Sequence, residues 1–578
     1  MVYLHEHTWW KEALVYQIYP ISFFDSNGDG IGDLNGIHAK LDYLKELGVD
    51  VLWLSPIYRS PLADMGYDIS DYRDIDPRYG TLSDWDNLMK GHEWFLQSRS
   101  SKDNAKRDWY IWRPPKFDAA GNRLPPNNWR SVFQGSAWDY DEETKEYYLH
   151  LYVSKQPDMN WENPEVREAV YDLMKFWLDR GCDGFRMDVI NLISKTEGLP
   201  DAPISAPDEF YQPASMHYAN GPHVHEYIKE MGRNVLSQYD IMTVGETPFT
   251  HDAAQLAAYV LPANKELNMV FHFELMDIDS PMEGPQRVPL IKKEWKLEEL
   301  RRIIVRWQLY KRDEGFWNAI EFKNRVFIEN HDHSRAVSRF GNDSPTWRAL
   351  SAKMLAILEI TQGGTLYLYQ GQELGLHNFP RTWGIEEYKD VASQNYWNRI
   401  LKKRQEEAGK QDVDMSDVLD GFAQKARDHA RVPMQWDASP HAGFTTGTPW
   451  MRVNEDYGKW NADAELKDPS SVLAFYKKAL KLRKSNPMFT YGEFRDISNN
   501  HPQVFGYLRT LGNTGALVLL NFKETPVSFD IQGVDQLTDY ELVLTNYDNV
   551  GSDVLSNKTN LQDVAIVLNG YEGRVYLK

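Results

Sequence analysis

The chain of 578 residues has a single cysteine, Cys182, so no disulfide can form within it. That residue sits just before a Gly-Phe-Arg-Met-Asp run, where a buried free thiol is expected rather than a reactive one. No window approaches the roughly 18 to 20 apolar residues of a membrane span. Positive charge is also short: 64 Lys and Arg face 84 Asp and Glu, a net charge of −20. A surface of that sign repels nucleic acid and acidic membranes, which excludes both as partners. Met1–Trp10 has neither a basic head nor an apolar stretch long enough for a signal peptide, so an intracellular, cytoplasmic protein is expected. Without such a signal the sequons at Asn342 and Asn557 carry no weight. There is no internal repeat and no low-complexity tract.

What is present is a rhythm. Val15–Pro20, Val49–Pro56, Gly184–Val189, Ile241–Glu246, Met269–Glu274, Arg325–Asn330 and Thr365–Gln370 read as core strands. Amphipathic stretches such as Ile37–Leu47, Glu165–Arg180, Leu297–Trp307 and Trp347–Thr361 lie between them. This alternation is the signature of βα units and a parallel sheet. His92 to Asn163 interrupts it with a polar stretch rich in Trp, Pro and Asn, carrying one strand pattern at Glu146–Val153. Phe379–Trp450 is a second polar insertion, with a charged helical part near Ile400–Gly409. From about Asn486 apolar runs come at short spacing, as in an antiparallel sandwich: Phe505–Arg509, Ala516–Phe522, Val527–Ile531, Tyr540–Leu544 and Val564–Leu568. The expected architecture is α/β: a (β/α)8-type barrel from 1–91 and 164–485, a rim subdomain at 92–163, and a C-terminal antiparallel β-sandwich at 486–578.

One more thing is lacking. The parallel strands number seven, and a closed barrel of this type needs an eighth between Val49–Pro56 and Gly184–Val189. The helix beginning near Ser83 runs to Gly91 and meets His92-Glu93-Trp94-Phe95 with no apolar run between. A parallel crossover needs a dozen or more residues and a strand, and neither is there.

Three of the strands end in acids: Asp188, Glu246 and the Glu329-Asn330-His331-Asp332 segment. Strand C-termini are where such a barrel gathers its reactive groups. A nucleophilic carboxylate with a second carboxyl that alternates between acid and base is the equipment for cleaving a glycosidic bond. Arg186 shares a strand face with Asp188 and can stabilise its ionised form. Burial beside another carboxylate would help Glu246 keep its proton. Separately, Asp25-Ser26-Asn27-Gly28-Asp29-Gly30-Ile31-Gly32-Asp33 sets oxygen ligands at alternate positions with glycines for the turn, as a calcium loop requires. It is not an EF-hand, because position twelve is Gly36 and not Glu. Tyr67 and Phe133 are the aromatic residues expected to touch substrate.

These motifs resemble glycoside hydrolase family 13, the α-amylase family, and most closely its α-glucosidases of the oligo-1,6-glucosidase and maltase type. Gln156-Pro157-Asp158-Met159-Asn160, Gly66-Tyr67-Asp68, Gly371-Gln372-Glu373 and Arg431-Val432-Pro433-Met434-Gln435-Trp436 carry the resemblance beside the three acids. It implies that Asp188 is the nucleophile, Glu246 the general acid/base and Asp332 the carboxylate that orients sugar hydroxyls, with Arg186 and His331 flanking them. It implies that Tyr67 stacks on a sugar and that Asp68 binds the terminal one, aided by Arg427 or Arg431. It also implies a structural Ca²⁺ or Mg²⁺ on Asp25, Asn27, Asp29, Asp33 and the Ile31 carbonyl, with no organic cofactor. Val189 looks like the oligo-1,6-glucosidase choice after the nucleophile. The family's Asp-x-x-x-Asn-His motif at the end of the third strand is absent, an excision of roughly two dozen residues at Gly91–His92. The function expected is an exo-acting, retaining α-glucosidase, monomeric, with isomaltose favoured over maltose or sucrose as substrate. The rivals are a sucrose isomerase, whose Arg-Leu-Asp-Arg-Asp loop motif is not found, and a pseudo-enzyme left by the excision.

Overall fold

The structure is a computed structural model that describes residues 8–81, 94–283, 286–287, 290–291, 293–310, 327–534, 537–548 and 563–578. The chain divides into two compact units. One holds Met1–Leu54, Lys293–Thr382 and Ala423–Lys578, and the other holds Ser55–Lys292 and Trp383–Phe422.

The parallel strands are β1 (Leu14–Ile18), β2 (Val51–Leu54), β3 (Gly184–Met187), β4 (Met242–Glu246), β5 (Met269–Phe271) and β6 (Leu366–Tyr369). In the first unit β1 is central, setting Val15 opposite Val51 of β2 and Leu14 opposite Leu366 of β6. In the second β4 is central, setting Val244 opposite Arg186 of β3 and Met269 of β5. Helices make the crossovers that parallel pairing demands. Leu41–Leu47, for instance, leads from β1 to β2 and stops at Gly48, whose left-handed φ of 99° suits a residue without Cβ.

Burial separates these strands into two kinds. β1, β4, β5 and β6 are buried at every position, as parallel strands covered on both faces should be. β2 and β3 are only half-buried throughout, and each ends its sheet. They are the two strands that flank, in sequence, the place where an eighth was wanting. Among the described residues every strand lying between them in the chain is antiparallel, from Tyr58–Arg59 with Asp71–Ile75 to the rim strands Trp112–Arg113, Trp138–Asp141 and Glu146–Leu149. The helix near Ser83 and the junction Gly91–His92 lie outside the described residues. So do Arg325 and Val326, while Phe327–Asn330 are in no strand.

The rim strands gather around Trp129, Trp138, Leu149 and Leu151, which pack with Leu192 and Tyr218. At the C-terminus β7 (Glu493–Asp496), β8 (Val504–Leu511), β9 (Thr514–Asn521), β10 (Val527–Gln532), β11 (Glu541–Thr545), β12 (Asp563–Leu568) and β13 (Gly573–Leu577) are all antiparallel. Their orders are β7-β8-β9-β13-β11 and β10-β12. Leu517 and Leu519 of the larger sheet meet Phe529, Ile531, Ile566 and Leu568 of the smaller one in a shared core. The larger sheet also ties into the helical part of its unit. Arg509, fully buried, donates to Gln308 Oε1 and to the Met488 and Phe489 carbonyls. The Tyr507 hydroxyl bonds with Thr361 and Gln362, and Gly573 leaves no room for a Cβ, which would sit 2.7 Å from Ile357.

Candidate active site

β3 delivers Asp188 one residue past its end, and β4 ends on Glu246. Because the strands are parallel neighbours in register, the two carboxylates leave the sheet on the same side. Arg186, two residues before Asp188, reaches both. One terminal nitrogen pairs with Asp188, and the other lies 2.6 Å from Glu246 Oε1. The Arg186 and Glu246 side chains are 7% and 8% exposed, whereas that of Asp188 is 45% exposed. A guanidinium offers donors in a rigid fork, so one side chain can hold two acids in fixed relation.

Tyr67 stands beside this pair. The Arg186 guanidinium lies 5.6 Å from the Tyr67 ring centroid. Phe133, buried, meets Tyr152 edge to face at 5.4 Å. Tyr152 was not foreseen. Its phenol is pushed far above the ordinary range, first by burial and then by the charges of Asp188 and Glu246. No local pattern marks it, because it follows the rim strands at a position that only the fold brings to the acids.

Asp68 is 1% exposed and accepts from the Ser60 hydroxyl and the Ala63 and Asp64 amides. The turn before it is strained, with Leu62 and Met65 at φ of 55° and 48°. Gln156, from the segment that suggested a family marker, donates to Asp64 at 3.3 Å. In the other unit, Asp332 Oδ1 accepts from Arg427 at 2.8 Å and from Arg431 at 3.0 Å. His331 stands 3.1 Å from Asp332 Oδ2. Burial would raise the Asp332 carboxyl, but His331, Arg427 and Arg431 together hold it well below the usual range. His331 is fixed by Gln17 Nε2 at 2.7 Å from its Nδ1 and stacks on Tyr19 at 6.0 Å. The expected site residues thus form two constellations: Asp188, Glu246, Arg186 and Tyr67 in one unit, His331, Asp332 and Arg431 in the other.

Val189 adopts φ 40° and ψ 40°, left-handed and costly for a β-branched residue. Its carbonyl accepts from the Leu192 amide, and the side chain packs on the rim cluster. Cys182 is half-buried and donates to the Gly184 carbonyl, with burial raising its thiol. His223 lies 3.1 Å from Glu226, and His225 lies 2.9 Å from Glu266.

The loop expected to hold a metal is closed by its own hydrogen bonds. Asp25 accepts from the Asn27, Gly28 and Gly30 amides and from Thr445. Asn27 accepts from Asp29, Asp29 from Ile31, and Asp33 from Ser26 and Gly36. Burial acts to raise the Asp25 carboxyl, and these donors outweigh it and lower it. Among the described residues no group of three or more His, Cys, Asp or Glu side chains is placed to hold a metal ion. As placed, Asp25, Asn27, Asp29, Ile31 and Asp33 are joined by a ladder of Asx-type turns. No helix among the described residues is long and apolar enough to cross a membrane.

The model for the alpha amylase catalytic domain matches residues 17–92 and 90–492, in two pieces that meet where the sequence showed its break. An oligo-1,6-glucosidase of Parageobacillus thermoglucosidasius is 48% identical over 593 aligned positions, covering 99% of each chain. An oligo-1,6-glucosidase of Saccharomyces cerevisiae is 41% identical over 609, covering 99% of this chain and 98% of its own. Both alignments are longer than the 578 residues available here. Among solved structures, an isomaltulose synthase from Protaminobacter rubrum is 38% identical with a TM-score of 0.86, covering 99% of each chain.

Proposed function

The chain belongs to the alpha-amylase family, and on that premise we propose that it is an exo-acting, retaining α-glucosidase of short α-glucosides, with isomaltose preferred. The observation that carries this reading is the single guanidinium of Arg186 shared by Asp188 and Glu246 at the ends of neighbouring parallel strands. Asp188, more exposed, is the nucleophile that attacks the anomeric carbon. Glu246, buried, protonates the leaving oxygen and then takes a proton from the water that releases glucose. Asp332, kept ionised by His331, Arg427 and Arg431, orients sugar hydroxyls as positive charge grows on the ring. Tyr67, Asp68 and Phe133 contact the terminal sugar, and Val189 borders the leaving one. The oligo-1,6-glucosidases among the relatives favour α-1,6 linkages.

The test is a trapped intermediate. A fluorinated α-glucosyl donor that forms the ester but hydrolyses slowly should add one glucosyl mass to the peptide containing Asp188, and Asp188→Asn should abolish the adduct. The first glucose released from isomaltose should be the α-anomer by NMR. A label elsewhere, or initial β-glucose, refutes the assignment. The likeness to an isomaltulose synthase gives a second reading, isomerisation of sucrose on the same site. Isomaltulose among the products from sucrose would establish it, and glucose with fructose alone would exclude it.

A further inference from the structure

We propose that the second unit holds a further ligand site, for a neutral oligosaccharide, in a cleft apart from the candidate acids. The proposal does not rest on the proposed activity. The cleft has a volume of about 1080 Å³ and is lined from four stretches, 102–113, 160–162, 193–199 and 222–223, all of that one unit. Neither Asp188 nor Glu246 lines it, and neither do Tyr67, Asp68, Phe133, Tyr152 or Val189. A space of this size is far beyond the voids that close packing leaves, and it stands at the upper end of the roughly 300 to 1,000 Å³ of small-molecule clefts. Hydrogen bonds between and behind its walls fix them in advance. The Asn160 amide donates to the Trp109 carbonyl at 2.8 Å, the Thr196 amide to the His217 carbonyl at 2.7 Å, and the His223 amide to Ser194 Oγ at 3.0 Å. A cleft held in this way loses little freedom when a ligand enters.

The chemistry of the walls selects the ligand. Four Lys or Arg and five Asp or Glu line the cleft, so neither sign dominates. Three of the cations are already matched: Lys102 lies 2.9 Å and Arg107 2.6 Å from Glu146, and Lys195 pairs with Asp158. Arg107 also covers the Trp112 ring at 3.6 Å and donates to the Ser98 carbonyl, which occupies the rest of its fork. An anion therefore finds its charge answered elsewhere. Among the described residues no three His, Cys, Asp or Glu side chains are placed to hold a metal ion. Exposed groups of both signs line the cleft as well, Asp108, Glu162 and Glu197 beside Arg113. Tyr110, Ile111 and Leu199, all buried, give it an apolar part. Such walls suit a molecule of no net charge whose groups both donate and accept. A carboxylate only accepts and a guanidinium only donates, and each can meet two neighbouring hydroxyls at once. Sugars supply paired hydroxyls, and their C–H faces suit the apolar part. The volume takes several rings, hence an oligosaccharide.

The experiment follows hydrogen exchange of the full 578-residue chain while sulfur-linked isomaltotriose, which resists hydrolysis, is titrated in. Exchange over 102–113 and 193–199 should slow at least about threefold, saturating with a Kd on the order of 0.1 to 1 mM. Ala105→Trp fills the cleft from an exposed position without removing a polar group. Arg113→Ala combined with Glu197→Ala takes away one donor and one acceptor instead. Each change should raise the Kd read from these two segments at least about tenfold while the protein melts with the parent. No protection there by about 20 mM sugar, or protection unaltered in both variants, would overturn the proposal. So would inorganic phosphate or spermidine protecting the same segments where the sugar does not, because the cleft would then be an ion site. Sugar held by the candidate acids would instead protect Gly184–Met187 and Met242–Glu246, and would do so in both variants. Failure of the cleft leaves that second signal in place, and failure of the glucosidase reading leaves the first.

Discussion

Replacing Arg186 by methionine removes the one cation that touches both candidate acids while keeping most of the side-chain volume. Arg186 and Glu246 are each under a tenth exposed, so the change strands a buried carboxylate without its partner. Breaking a buried pair in this way costs about 3 to 5 kcal/mol. The half-exposed Asp188 adds little, because solvent screens its share. Thermal melts by circular dichroism should fall by several degrees. The kinetic effect should be larger. Arg186 holds the two carboxylates in fixed relation through one rigid fork, and methionine offers neither of them a donor. At neutral pH the loss should be on the order of a hundredfold or more. Arg186→Lys, with a point charge in place of the fork, should recover part of the stability and little of the rate. An Arg186→Met protein that melts with the parent and hydrolyses isomaltose within about twofold would refute the argument.

Further outcomes are expected. Glu246→Gln should keep more activity on a p-nitrophenyl glucoside than on isomaltose, because an activated leaving group needs no acid; equal losses would remove Glu246 from that role. Val189→Thr or Val189→Ala should raise the maltose to isomaltose ratio of kcat/KM by about tenfold, within the roughly 1 to 3 kcal/mol that one apolar contact discriminates, and an unchanged ratio would place linkage choice elsewhere. The Asp332 carboxyl is lower in the folded than in the unfolded chain, so its stabilisation is complete above about pH 4 and is lost as pH falls. Asp332→Asn should therefore lose stability less steeply in acid, as seen in denaturant melts between about pH 5 and 3; parallel curves would contradict it. Restoring the relatives' segment between Gly91 and His92 should raise the melting temperature and speed isomaltose hydrolysis at least about tenfold, whereas an equally stable and active parent would show the fold complete without it.

The strands were legible because their runs are apolar and their ends chemical. Gly184–Met187 and Met242–Glu246 needed no fold to suggest that Asp188 and Glu246 meet. The gap in the strand count was legible by counting, and among the described residues no parallel strand lies between β2 and β3. Tyr152 was not legible, since it reaches the acids through the rim and not through a pattern. In the metal loop, alternating oxygens serve a turn as well as a cation, and spacing alone does not separate the two. Glu493–Asp496 and Gly573–Leu577 passed unnoticed as strands, one polar and mostly exposed, the other opening on glycine at the end of the chain.

The way the larger C-terminal sheet is fastened bears on how this protein can be divided. The match to the catalytic domain stops at residue 492, and a cut there would follow descent. It would not follow folding. Arg509 closes hydrogen bonds on Gln308 and on the carbonyls of Met488 and Phe489, and Tyr507 closes others on Thr361 and Gln362. Severed at that point, one side would keep orphaned buried acceptors and the other a buried guanidinium with nothing to bind. The inherited border and the cooperative one do not coincide, and a fragment designed on the first inherits a wound from the second.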